Sequence, residues 1–144
     1  MNSFVLPKKA ARLIVLQRIE LAGNILKKIR KLFGRYLFSK IFSKYMLDLD
    51  KISKDYYKIM YNEYLTIKKF IKPNQNILSI GAGIGGLEVI INNNFKNENF
   101  TFIERDFVSK KIRYGWDNEN TEAYNKLNLL ENFLLSNFVK SNRF

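Results

Sequence analysis

The chain has 144 residues, enough for one domain with a modest core, and 47 % of them are apolar, as in ordinary globular proteins. It contains neither cysteine nor histidine, which excludes disulfides, thiolate metal sites and the side chain that most often serves as general base near neutral pH. The net charge of +12 is uneven: residues 1–44 hold eleven Lys and Arg against one acid, Glu20, whereas residues 45–144 hold fourteen against twelve.

Met1 to Lys44 reads as one long helical pattern. Ala22, Ile25, Leu26, Ile29, Leu32 and Phe33 recur at spacings of three and four, which makes an apolar stripe. Lys27, Lys28, Arg30, Lys31 and Arg35 fall largely between them. Pro7 suits the start of the helix, and Gly34 weakens its middle and is a place to bend or divide it. Two readings stay open for this basic amphipathic segment, residues 1–46. It lies on an anionic membrane surface or an acidic protein, or its apolar face packs on the rest of the chain. Nucleic acid is the weaker partner, because no recognised nucleic-acid motif accompanies the charge. The run Leu13 to Leu16 is too short for a signal peptide, and no stretch approaches the ~20 apolar residues that span a bilayer. A cytoplasmic location is expected, peripheral to a membrane if the basic helix faces lipid.

A second helix is expected from Leu47 to Lys72, with Asp48, Asp50 or Ser53 as its cap and an aromatic stripe that includes Tyr56, Tyr57, Tyr61 and Tyr64. Pro73 and Asn74 end it. Ile77 to Ile80 then reads as a buried strand that stops at Gly81. Gly81, Gly83, Gly85 and Gly86 crowd into six positions, and Leu87, Val89, Ile90 and Ile91 begin a helix that runs to about Asn92. In this strand–turn–helix, Gly81 permits backbone angles that a side chain forbids. Gly83 leaves room for a ligand at the main chain, and Gly85 and Gly86 let the helix lie close to the strand. The N–H groups of the helix's first turn favour an anion, and the charge of Glu88 suits the same end of the dipole. A second strand, Asn99 to Ile103, ends at Glu104, which lies 23 positions after Gly81. That is close to the ~20 expected for an acid that takes ribose hydroxyls. The plainer alternative is a glycine-rich turn with Glu104 as a solvated strand end.

Ile77-Leu78-Ser79-Ile80-Gly81-Ala82-Gly83-Ile84-Gly85-Gly86 resembles the first motif of the Rossmann-like S-adenosylmethionine-dependent methyltransferases. Phe102-Ile103-Glu104-Arg105-Asp106 and Ser109 to Trp116 resemble a bacterial subgroup that includes sugar O-methyltransferases, and the likeness covers about Asn62 to Phe138. The resemblance implies S-adenosylmethionine as cofactor, held by Ser79, Gly81, Ala82, Gly83, Gly85, Glu104 and Arg105. The glycine backbone would hold the methionine end and Glu104 the ribose, with a sugar or other small hydroxylated molecule as methyl acceptor. Ser79 stands where the family often has an acid for the cofactor's amino group. The chain names no base for the acceptor and no metal ligands. The same glycines and acid resemble the fingerprint of FAD- or NAD-binding oxidoreductases. Those usually open the chain with this strand and want a small residue where this chain has Ile90.

Arg105 to Asn120 reads as irregular and charged, and a last helix is expected from Thr121 to about Val139. The expected fold is thus α/β: an incomplete Rossmann-like β-α-β-α unit in residues 47–144, preceded by basic amphipathic helices. Methyltransferase domains of this kind carry five more strands, and an isolated parallel pair is poorly covered. A truncated domain is therefore expected, completed by self-association or a partner chain. Besides the enzyme, a non-catalytic basic interaction module on an α/β scaffold remains open.

Overall fold

A computed structural model describes residues 3–95, 99–104 and 127–137. The readings of Arg105, of the charged segment to Asn120 and of the ends of the last helix lie outside the described residues. What is described is a mixed α/β structure, mostly helical, with a two-stranded parallel sheet.

Helix α1 (Lys8–Gln17) starts at Pro7, whose carbonyl accepts the Ala11 N–H at 2.9 Å. Leu13, Ile14, Val15 and Leu16 are all buried, as are Ala10 and Ala11, so the helix is enclosed around most of its circumference. The single helical pattern expected over Met1 to Lys44 is divided. Arg18 leaves helical geometry (φ −127°, ψ 77°), a 3₁₀ turn covers Ile19–Ala22, and Gly23 adopts φ 79°. Helix α2 (Gly23–Leu37) follows and is kinked at Gly34, where φ 76° and ψ 169° interrupt the hydrogen-bond ladder. A π turn, Phe38–Phe42, runs into the short α3 (Ser43–Tyr45). Arg12 ties this corner to α1: its Nε donates to Ser43 Oγ at 2.9 Å and its Nη2 to the Ser39 carbonyl at 2.6 Å.

Helix α4 (Leu49–Ile67) is capped by Asp48, whose carboxylate accepts the Lys51 N–H at 3.0 Å. Ile52, Tyr56, Met60 and Tyr64 repeat every four residues and form its buried stripe. Ser53, another of the three candidate caps, faces the N-terminus instead. Its hydroxyl accepts the Phe4 N–H at 2.9 Å and donates to the Phe4 carbonyl at 2.6 Å.

After a turn in which Asn74 takes φ 60°, strand β1 (Asn76–Ile80) pairs in parallel with β2 (Asn99–Ile103), from Asn76 opposite Asn99 to Ile80 opposite Ile103. Helix α5 (Gly86–Phe95) is the crossover between them. It outlasts the expected end at Asn92, and Asn94 Nδ2 bonds the Ile90 carbonyl at 2.8 Å inside it. One sheet face turns Phe100 and Phe102 into the core, with Ile77 partly buried beside them; on the other, Leu78, Ile80 and Ile103 stand exposed. Helix α6 (Leu127–Ser136) contributes Leu130, Phe133 and Leu134, each fully buried. Just beyond it, the Asn137 side chain accepts the Val5 N–H at 2.9 Å and donates to the Val5 carbonyl at 3.0 Å. One apolar core therefore joins α1, α4, α5, β2 and α6. No described helix is long and apolar enough to cross a membrane.

Candidate functional site

The two strand ends meet at the glycine turn. The Gly81 N–H donates to the Ile103 carbonyl at 2.9 Å, the Gly85 N–H closes on the Ala82 carbonyl at 3.1 Å, and the Gly85 carbonyl accepts the first bond of α5 from Val89. Gly81, Gly83 and Gly85 all adopt positive φ (68°, 62° and 86°), so a strand turns into a helix within five residues. Glu104 follows the last residue of β2, and its Oε2 accepts the Gly83 N–H at 3.2 Å. The turn and the acid are thus in direct contact.

The glycines divide into two kinds. A Cβ on Gly81 or Gly83 would meet nothing within 4 Å, so the turn offers bare backbone to open space there. At Gly85 a Cβ would lie 2.7 Å from Leu134 Cδ2 and 2.8 Å from Leu130 Cδ1. At Gly86 it would lie 2.7 Å from the Tyr56 ring. This corrects the expectation that these two bring α5 close to the strand: the tight approaches are to α6 and α4.

A cleft of about 360 Å³ opens beside the turn. Ser79, Gly81, Ala82 and Gly83 form one wall, and Gln17, Arg18 and Glu63 belong to another. Of the residues singled out in the sequence, Gly85 faces α6, Glu104 bonds to Gly83, and Arg105 lies outside the described residues.

Sequence reading missed two features of this cleft. The first is Arg18, which the break after α1 brings to the cleft, where Nη2 donates to Glu63 Oε1 at 3.3 Å. The second is Glu88. Its side chain does not point to solvent at the helix start but is buried, and the Ser79 hydroxyl donates to its Oε1. Its Oε2 has no hydrogen-bond partner among the described residues. The signal available was the period-two alternation that puts Ser79 on the covered face with Ile77. Burial pushes the Glu88 carboxyl above the usual carboxylate range, against the bonds from Ser79 and the backbone, and the Glu104 and Glu63 carboxylates push it further. Burial likewise raises the Tyr56 phenol, and the nearby Glu88 carboxylate adds to it.

A carboxyl whose folded pKa is raised binds its proton more tightly folded than unfolded. Stability is therefore full below the unfolded value of 4.5 and falls as pH rises from there through the folded pKa. Glu88→Gln keeps an acceptor for Ser79 and removes the charge. The variant should be more stable than the native chain at pH 7.5 by on the order of 1 kcal/mol or more, because Gln carries no charge to bury or proton to bind, and the gain should vanish near pH 4. Thermal melts of both chains across that range check it; a gain independent of pH would contradict the assignment.

Comparison of the chain with protein-family models, with curated proteins and with solved structures finds no match.

Proposed function

We propose that the cleft at the end of β1 binds S-adenosylmethionine, and that β1-α5-β2 acts as the nucleotide-binding unit of a Rossmann-like methyltransferase. The observation that carries this reading is the contact between the Gly83 N–H and the Glu104 carboxylate, which brings a side-chain-free backbone and a ribose-type acid to one spot. The residues fit the cofactor. The space a Cβ would fill at Gly83 is open, and a cleft of about 360 Å³ falls in the ordinary range for small ligands. Glu104 keeps acceptor capacity for a ribose hydroxyl, since a carboxylate offers about four lone-pair sites.

Glu88 answers the missing acid of the first motif. Where the family often carries a carboxylate on the strand, this chain has Ser79 with Glu88 bonded to it from the facing helix. The unpartnered Oε2 then accepts from the cofactor's ammonium group, and that cation repays the burial of the charge. Arg18 supplies the opposite charge on the cleft for the cofactor's carboxylate.

When bound, the cofactor presents a sulfonium methyl carbon to an attacking acceptor oxygen. The chain's part is to bind and orient. The acceptor class proposed is a sugar or another small hydroxylated molecule. The exposed Leu78, Ile80 and Ile103 leave an apolar sheet face open to a covering layer from a second copy or a partner chain, as parallel sheets are covered on both faces.

Calorimetric titration with S-adenosylmethionine, NAD and FAD tests the proposal. Micromolar binding of S-adenosylmethionine alone, lost in Glu104→Ala and weakened at least tenfold in Glu88→Gln, supports it. Preference for NAD or FAD, or no binding of any of the three by a folded chain, overturns it.

A further inference from the structure

The basic N-terminal surface does not belong to the cleft. Helix α1 is buried, but α2 is not: of its apolar residues only Leu26 is buried, and the helix packs chiefly against the turns before and after it in the chain. Sixteen large apolar side chains are exposed among the described residues, and eight of them fall between Ile25 and Met46. Ile25 is 73 % and Leu32 77 % exposed. Before the kink at Gly34, the exposed Ile25 and Leu32 lie within about 20° of one another around the helix, with Lys28 and Lys31 on the adjoining flank, while Ile29 is partly buried against the core. From Leu21 to Leu47 there are seven Lys and Arg and no acid; Glu20 and Asp48 stand just outside the two ends. An unfilled apolar stripe flanked by unmixed positive charge is a surface with two needs. It requires a negatively charged partner, and that partner must offer an apolar phase.

We propose that α2 and the turn after it dock on an anionic phospholipid bilayer. Lys28 and Lys31 face the headgroup phosphates, and Ile25 and Leu32 enter the boundary of the acyl chains. Nucleic acid meets the charge but gives Ile25 and Leu32 no apolar phase. At the kink a Cβ on Gly34 would meet nothing within 4 Å, so the bend stands open to the same surface. This docking is independent of what the cleft binds.

Vesicle sedimentation of the full chain tests it, using phosphatidylcholine with and without phosphatidylglycerol. Deleting the segment is not a usable control, because α1 lies in the core. Point changes at exposed positions are, with circular dichroism confirming the fold. The native chain should sediment with the anionic vesicles and remain in solution with phosphatidylcholine alone. Neutralising two charges in Lys28→Gln/Lys31→Gln should weaken binding by about thirtyfold, and Ile25→Asn/Leu32→Asn by about tenfold or more. No binding to anionic vesicles, or equal binding to both kinds, overturns the proposal. So does unchanged binding in Ile25→Asn/Leu32→Asn, which would mark a purely electrostatic site for an acidic protein or nucleic acid.

Discussion

Gly85→Ala should cost about 2–5 kcal/mol of folding stability, a large share of the ~5–15 kcal/mol that a domain usually has. Two costs add. At φ 86° an L side chain is strained by about 1–2 kcal/mol. The new methyl would then overlap Leu134 and Leu130 of α6, both fully buried, and forcing extra volume into a packed site costs about 1–3 kcal/mol more. Gly83→Ala is the matched comparison. It carries the same kind of strain at φ 62°, but its methyl enters open space, so its cost should stay near the strain alone. Guanidinium denaturation of both variants separates the two glycines. If Gly85→Ala is no worse than Gly83→Ala, α6 does not press on the turn. The two changes also separate stability from binding: Gly85 holds the turn against α6, while Gly83 lies where the proposed cofactor meets the backbone.

How far the site could be read from the sequence follows from the range of the forces involved. β1, the glycine turn, α5 and β2 were legible because strand period, helix period and positive-φ glycine are local properties of the chain. The adjacency of Glu104 to the turn was legible for the same reason: parallel pairing of consecutive strands places their C-terminal ends together. Glu88 was not. An acid in a first helical turn is equally at home in solvent, and its burial comes with α4, whose Tyr56 and Met60 pack on the start of α5 at Gly86. The unequal fates of α1 and α2 were also hidden. Both carry apolar and basic residues at helical spacing, and the break at Arg18 separates the first, which enters the core, from the second, which stays outside. Arg18 reaches the cleft through that same break. Residues 4 and 5 carried no local signal at all, because their partners Ser53 and Asn137 lie 49 and 132 positions away.

That long-range tether is where the second large effect is expected. Phe133→Ala should destabilise the protein by about 3–5 kcal/mol, since the ring is fully buried and its removal leaves a cavity that the surroundings fill only in part. The loss should extend beyond α6. The ring meets Phe4 edge-on at a centroid distance of 5.4 Å, and Phe4 also packs at 5.5 Å on Tyr56 and 5.2 Å on Tyr57 of α4. Phe4 therefore lies between the two helices that flank the glycine turn. The Phe133 carbonyl receives Asn137 Nδ2 at 2.9 Å, and the same side chain holds both polar groups of Val5. Displacing this end of α6 should release Val5 first, so its amide should exchange with solvent far faster in the variant. The Phe4 amide, bonded to Ser53 on α4, should lose less protection. Leu135→Ala, on the same helix but 56 % exposed, should change stability by no more than about 0.5 kcal/mol. Denaturant midpoints for the two variants, with hydrogen exchange at Phe4 and Val5, check the prediction. Equal effects at positions 133 and 135 would mean that α6 does not carry its share of the core, and the wall it presents to Gly85 would go with it.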